Sequence, residues 1–364
     1  MFEKFLSDRG ANSSSNQPKK RYQAVNDFGN INRETNALVN SVAIFPCSHW
    51  GRLVITGNDH LNLLQRMTTN DMGTLKSGSG IESVFSDPKG RVIDLGLFYH
   101  RKGSTLCIVS PESSRVISEW LDKYTFSEEM TLSNVETETE MIEVLGPDAR
   151  KLISSVFQVD INELLPHQLL ESPQISPQSW LAIRPFGQHN GVRIIVKTIH
   201  ASQVWQQLEK AGGVPVGETS WNNMRIELGI PKKPNELNKD NNPWEAGLAS
   251  AISLDKGCYI GQEVIARLEA YKKIKKSLWG ILFFGKTKPN PGTKLRVKGK
   301  IAGTVTSSCS SIRTGVIALA FVSKEYCHQG ITVETEHGDL NGETVSLPFA
   351  PETILAHGRK FSKI

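Results

Sequence analysis

An α+β protein is predicted, built of two similar antiparallel units followed by a small β-barrel, and three observations predict it. A strand–helix–hairpin–helix order occurs twice, with a period of about 89 residues. Hairpins dominate both copies, and no strand–helix–strand series alternates throughout, so the sheets should be antiparallel. From Ser277 onward the pattern changes to short strands separated by Gly, Pro and Asn, as in small barrels and sandwiches. At 364 residues the chain exceeds the size at which one core stops growing, so two or three domains are expected.

In chain order, residues 1–37 are polar around Ser13-Ser14-Ser15-Asn16-Gln17-Pro18 and read as a flexible basic tail. The first unit (38–135 plus 220–270, carrying the central motif below) opens with a strand at Arg52–Thr56 and a helix bearing Leu61, Leu64 and Met67. A hairpin around Gly103 and a helix with Val116, Ile117, Trp120 and Leu121 follow. The second unit (136–219) repeats the order. Its strand Glu140–Leu145 leads to a helix with Leu152, Ile153 and Val156, a hairpin around Gly191, and a helix with Val204, Trp205 and Leu208. A cleft between similar halves is a natural ligand site. A helix Trp221–Leu228 is ended by Gly229-Ile230-Pro231, and the Lys/Asn/Pro-rich stretch 232–243 reads as a loop too hydrophilic for a core. Residues 271–364 hold the barrel, with candidate strands at 278–284, 294–297, 300–307, 316–322, 331–335 and 344–347.

A content of 38% hydrophobic and 22% charged residues suits a soluble globular protein. No apolar run reaches the roughly 18 residues a membrane span needs, and residues 1–17 lack a signal peptide's apolar core. Five scattered cysteines (47, 107, 258, 309, 327) form no Cys-x-x-Cys pair. They argue for a reducing compartment and against a disulfide framework or a structural zinc site. The net charge of +5 is partly clustered, in Pro18-Lys19-Lys20-Arg21, which has the look of a nuclear import signal, and in Lys272-Lys273-Ile274-Lys275-Lys276. Such a cluster is either a solvated face or a funnel for an anionic ligand such as a polyglutamate tail or RNA. Without interleaved aromatics, RNA is the weaker alternative.

The chemistry concentrates in Lys256-Gly257-Cys258-Tyr259-Ile260-Gly261-Gln262-Glu263-Val264-Ile265-Ala266-Arg267. Gly257 and Gly261 permit a tight bend around Cys258. Lys256 and Arg267 bring cations near a thiol, which favour the thiolate that attacks electrophiles and binds metals. Glu263 suits the positive end of a helix starting there. Read from the residues alone, Cys258 is more often a small buried hydrophobe, the commonest fate of a lone cysteine.

This run resembles the Lys-Gly-Cys-aromatic-x-Gly-Gln-Glu motif of the YgfZ-type folate-binding proteins. These are iron–sulfur cluster assembly or maintenance factors related in fold to the glycine-cleavage T-protein, an aminomethyltransferase. The resemblance covers most of the chain from about residue 42 and implies a T-protein-like three-domain ring, with a reduced folate in the hole between domains. Arg66-Met67-Thr68-Thr69-Asn70-Asp71 resembles a Thr-Thr-Asn-Asp corner, which implies that Thr69 and Asn70 face the folate. Asp87-Pro88-Lys89-Gly90-Arg91-Val92-Ile93-Asp94 is similar to a segment that ends in an Asp pair in T-proteins; here only Asp94 remains, implied both to bind folate and to move a proton. Met224-Arg225-Ile226-Glu227-Leu228-Gly229 resembles an Arg-x-Glu-x-Gly segment and implies that Arg225 grips an anionic folate group. Trp244-Glu245-Ala246-Gly247-Leu248 is similar to the approach to the central motif, where Gln262 and Glu263 are implied to shape the site.

One departure matters. Where T-proteins carry an acid for the pterin ring, the stretch Gly187-Gln188-His189-Asn190-Gly191-Val192-Arg193 has none, and Arg193 stands in the glutamate's place. A cation does not accept the ring's N–H donors.

The resemblance implies a tetrahydrofolate-dependent factor for iron–sulfur cluster assembly, transfer or repair. Cys258 would be its working thiolate and metal ligand, Lys256 its supporting cation, and a transient cluster its cargo. One cysteine cannot hold a whole cluster, so the implied partners are iron–sulfur scaffold or client proteins. The chain itself is expected to be a monomer, or one half of a cluster-bridged assembly. The alternative is a folate-dependent aminomethyl- or methyltransferase using Asp94. The implied location is plastid stroma or mitochondrial matrix, with bacterial cytoplasm as the alternative.

Overall fold

The computed structural model describes residues 2–13, 23–187 and 191–349. The Pro18-Lys19-Lys20-Arg21 string therefore lies outside the described residues, as does the middle of the 187–193 stretch. The chain divides into two compact units, Met1–Ser83 with Gly96–Trp221, and Val84–Leu95 with Asn222–Ile364.

Among the described residues, the first unit contains a two-stranded ribbon, Asn12–Ser13 with Val25–Asp27, and two larger, mainly antiparallel sheets. One has six strands in the order Leu169–Glu171, Trp180–Arg184, Gly191–Lys197, Thr139–Leu145, Ala43–Pro46 and Val214–Pro215, with only the last pair parallel. Alternation decides its faces. Ile44, Ile142, Val144, Val192 and Ile194 bury against helices Ala149–Phe157 and Thr198–Lys210, around Trp205. On the opposite face Phe45, Glu143, Arg193 and Ala182 stand side by side in register. The other sheet orders Gly80–Ser86, Val92–Arg101, Ser104–Val109, Gly51–Thr56 and Thr131–Asn134, and the inner ends of its first two strands count with the second unit. Arg52 joins the sheets by donating to Thr139 Oγ1 at 2.9 Å and to Thr139 O at 3.0 Å.

The expected duplication is visible element by element. Gly51–Thr56 is followed by helix His60–Met67, as Thr139–Leu145 is by Ala149–Phe157, and each copy continues through a hairpin into a helix, Ser114–Asp122 and Thr198–Lys210.

The expectation of a flexible tail is corrected for its described parts. Phe2–Ser7 is helical, with Phe2 and Leu6 buried and the Phe2 ring 5.9 Å from that of Trp205. Ile31–Asn40 is a helix capped by the Asn30 side chain. Its Glu34 accepts from Phe28 N, Gly217 N and Ser220 Oγ at 2.7, 3.0 and 2.8 Å. Average polarity hid a few apolar side chains at helical spacing, enough to dock a short helix on a preformed core.

In the second unit the strands Lys276–Phe283, Lys294–Val297, Lys300–Ser311, Gly315–Ser323, Thr332–Thr335 and Asn341–Val345 form a closed barrel. Closure removes free edges, and Ile281, Phe283, Leu295, Val305, Val316 and Val333 form one of its cores. On another cluster Leu282, Ile317, Leu319 and Val345 take Ile226 from the end of helix Glu218–Glu227.

The stretch 232–243 is a second correction. It is no solvated loop: Glu236, Leu237, Asn241 and Asn242 are all buried. Burial is tolerated because each polar group has a partner. Glu236 accepts from Arg225 Nη1 (2.9 Å), Ser307 Oγ (2.7 Å) and the Lys232 backbone (2.9 Å). Asn241 takes the Lys276 ammonium on its Oδ1 at 2.6 Å.

Candidate functional site

Cys258 lies in the loop immediately before helix Gln262–Ala270 and is exposed, whereas the other four cysteines are buried. Burial pushes the Cys309 thiol up to about 12 and also raises Cys47 and Cys327. These are inert sulfurs in apolar surroundings. The loop carrying Cys258 and the helix after it are fixed by three hydrogen bonds. Ser86 Oγ donates to Ile260 O at 2.7 Å, Gln262 N–H closes onto Tyr259 O at 3.1 Å, and Trp244 Nε1 donates to Ile265 O at 2.9 Å.

The two glycines differ in what they supply. Gly261 has φ +84°, and a Cβ there would lie 2.5 Å from Asp87 O and 3.1 Å from Gly90 Cα, so only glycine fits. Gly90, at φ +69°, in turn packs against Val264 and Ile265. Gly257 has nothing within 4 Å of such a Cβ and no positive φ, which corrects the reading that both glycines hinge the bend. Gly261→Ala is expected to lose about 2 kcal/mol or more, the cost of a non-glycine residue in a conformation and space it cannot take. Gly257→Ala should stay within about 0.5 kcal/mol, as surface changes do. Thermal melts of the two variants check this pair.

The cations expected beside the thiol have partners of their own. Lys256 is buried, with its ammonium 5.1 Å from the centre of the Tyr259 ring. Arg267 pairs with Glu263 across one helical turn, both side chains largely exposed. Gln262 is the first residue of the helix, and Glu263 stands in its first turn.

Of the residues expected to bind or catalyse, Thr69 and Asn70 belong to the first unit; Asp94, Arg225, Lys256, Cys258, Gln262 and Glu263 belong to the second. Thr69 is fully buried. Asn70 fixes its own corner, donating from Nδ2 to Glu82 O at 2.9 Å and accepting Asp71 N–H on Oδ1 at 3.0 Å.

Asp94 is completely buried in strand Val92–Arg101. One oxygen accepts Leu95 N–H at 2.9 Å, and the other lies 4.0 Å from Lys233 Nζ, which itself donates to Ile93 O at 3.0 Å. Arg225 is committed inside the protein. It donates to Asn222 Oδ1 (2.8 Å), Ile230 O (3.1 Å), Glu236 Oε2 (2.9 Å) and Ser307 Oγ (2.7 Å). That guanidinium locks the helix end, the 232–243 stretch and the barrel together.

The first unit holds a buried cluster that motif reading passed over. Glu143 accepts from Arg184 Nη1 at 2.8 Å on one oxygen, and from Arg193 Nε at 2.9 Å and Arg193 Nη2 on the other. Trp221 stacks between Phe45 and Phe186, and Arg184 lies over both Phe186 and Trp221. A signal existed: Glu143 and Arg193 are charges inside otherwise apolar strands, and such residues are rarely buried without a partner. The acid missing at position 193 is thus present one strand over, with both its oxygens already taken.

Two antiparallel sheets carrying repeated elements, joined to a closed six-stranded barrel, define the aminomethyltransferase T-protein fold. Glycine cleavage system aminomethyltransferase T from Bartonella henselae superposes with a TM-score of 0.85 at 19% identity, over 96% of this chain and 97% of that one. The chain belongs to the GCVT N-terminal domain family, whose model matches residues 7–256; Cys258 lies two residues beyond. Among relatives, "Putative transferase At1g60990, chloroplastic" of Arabidopsis thaliana is 30% identical over 334 residues, 89% of this chain and 75% of that protein. The aminomethyltransferase of Shouchella clausii is 27% identical over 336 residues, 90% and 91% of the two chains. Among the described residues, no helix is long and apolar enough to cross a membrane.

Proposed function

We propose that this chain is a YgfZ-type member of the family that assists assembly, transfer or repair of iron–sulfur clusters for client enzymes, with Cys258 as its working sulfur. The observation that carries the reading is the contrast among the five cysteines. Four are packed into the protein, while Cys258 is exposed on a loop pinned by Ser86 and held against Asp87 and Gly90. A structural cysteine needs no such presentation; a sulfur that meets another protein's cargo does.

Among the described residues no group of three or more His, Cys, Asp or Glu is placed to hold a metal ion. The cluster is therefore cargo, and its other ligands come from the partner. Cys258 would replace one departing cysteine at iron, the incoming thiol giving up its proton and the leaving sulfur taking one, with no net redox change. Lys256 rests on the Tyr259 ring within the loop, and Glu263 with Arg267 keeps the first turns of the helix paired at its surface.

Tetrahydrofolate is the small molecule the family likeness implies, and the residues fit it poorly. A pterin ring offers N–H donors and needs acceptors. In the first unit Glu143 has no acceptor to spare, and the buried Nη1 of Arg193 is a donor without a partner. In the second unit the Asp94 carboxylate accepts Leu95 N–H and faces Lys233, and Arg225 is spent within the protein. The second reading, folate-dependent aminomethyl or methyl transfer, is supported by the family and fold and by the buried Asp94 carboxylate. A plastid or mitochondrial setting is part of the proposal, supported by the Arabidopsis relative that is named chloroplastic.

Anaerobic reconstitution with iron, sulfide and a small thiol, comparing wild type with Cys258→Ser and with and without tetrahydrofolate, tests both readings. Cluster absorbance lost in Cys258→Ser supports the first. Turnover of tetrahydrofolate that survives this substitution would replace it with the second.

A further inference from the structure

The lysine run after helix Gln262–Ala270 has no part in the chemistry above. Helix Gln262–Ala270 closes with Tyr271 N–H on Arg267 O (3.1 Å), Lys272 N–H on Glu269 O (3.0 Å) and Lys273 N–H on Leu268 O (2.9 Å), while Lys272 takes φ +49°. This closure leaves Tyr271, Lys272, Lys273 and Lys275 exposed, with Tyr271 at 67%. Lys276 is different in kind, since it bonds Asn241 and lies 4.7 Å from the Phe321 ring centre. Among the described residues, no carboxylate pairs with Lys272, Lys273 or Lys275; the Lys273 ammonium rests 5.4 Å from the Tyr271 ring centre. Three like charges within four residues of chain repel each other, and the helix's negative end offsets only a fraction of a charge. Before the helix in the chain, Leu254 is 54% exposed and lies four residues from exposed Cys258.

We propose that this face is a docking surface for a protein partner bearing an acidic patch. Lys272, Lys273 and Lys275 receive the patch, Tyr271 and Leu254 give apolar contact, and the seated partner covers Cys258. The inference rests on the reading of Cys258 as a working sulfur and names what brings the cargo to it. Size supports it. The nine residues of the helix span about 13.5 Å at 1.5 Å each. A standard interface of about 800 Å² per partner has a radius of about 16 Å, so the length of this helix is no bar to one protein touching both the lysines and the thiol. The exposed residues of this segment also have the mixed character of a transient interface: an aromatic and a leucine with charge, and the exposed Glu263–Arg267 pair between them in the chain. A single-stranded nucleic acid would want a row of stacking rings along the basic stripe, and here Tyr271 is already capped by Lys273.

The test reads Cys258 through its alkylation by neutral iodoacetamide, using the full chain, in which the other four thiols are buried. The probe is poly-L-glutamate of about 50 residues, compared with triglutamate and with polyuridylate. Poly-L-glutamate should slow alkylation about five-fold or more at low salt and lose this effect as salt shortens electrostatic reach. The K272E/K273E/K275E variant should show no protection, with its melting temperature and unprotected alkylation rate unchanged. Protection that persists in the triple variant, or no protection of wild type, overturns the proposal. Equal protection by triglutamate would assign the lysines to a small acidic tail, and stronger protection by polyuridylate to nucleic acid; either also overturns it. The readout is independent of cluster chemistry. If Cys258→Ser proves harmless to iron–sulfur enzymes while the protection holds, the sulfur reading fails and the docking surface stands.

Discussion

Glu143→Ala is expected to destabilise the protein by about 3–5 kcal/mol, the cost of breaking a buried ion pair from one side. The substitution strands two buried guanidiniums, Arg184 and Arg193, that both bond this carboxylate. Arg184→Ala should cost less, because Glu143 keeps Arg193. Urea unfolding with an unchanged dependence on denaturant would isolate the effect as stability. A cost below about 1 kcal/mol would mean that the arginines find other partners, as surface pairs do. The pH dependence has a definite sign. Burial pushes the Glu143 carboxyl up, but the two guanidiniums outweigh it and hold the group below the usual carboxylate range. Such a group contributes its stability above its unfolded value, near about 4.3, and loses it as pH falls through the folded value. The gap between wild type and Glu143→Ala should therefore be full at neutral pH and narrow in acid.

Cys258→Ser is expected to abolish the chain's support of iron–sulfur enzymes while leaving its fold untouched. The side chain is exposed, so the stability change should stay within about 0.5 kcal/mol, and oxygen is a poor stand-in for sulfur at iron. Cells carrying the variant in place of wild type should lose client enzyme activity at normal protein levels, scored by enzyme assay and immunoblot together. Normal client activity at wild-type protein levels would remove Cys258 from the mechanism. A serine variant that also melts early would instead mean that the thiol is part of the packing. The exposure of Cys258 and the independent anchoring of its loop by Ser86 and Trp244 argue against that.

The elements were largely legible because their signals are local. The strand at 139–145, the helices at 149–157 and 198–210, and the barrel strands lie within a few residues of where alternation and turn chemistry put them. Misreadings arose where burial depends on partners distant in the chain. The stretch 232–243 is polar in composition, yet Glu236 is buried, because Arg225 and Ser307 come to it from elsewhere. The N-terminal segment looked too polar to fold, yet Phe2 and Leu6 find Trp205, about two hundred residues on. Gly257 looked like a hinge beside Gly261, and only the backbone path separates them.

By itself the sequence determined the order of elements, the repeat and the motif around Cys258, since hydrophobic period, glycine placement and residue spacing are properties of neighbouring positions. Tertiary structure alone decided which of five sulfurs meets solvent, that Arg225 is spent on Glu236, and that the acid absent at position 193 sits across the sheet as Glu143. The physical reason is that burial and hydrogen-bond saturation depend on which distant strands lie side by side, and no local pattern records who the neighbour will be.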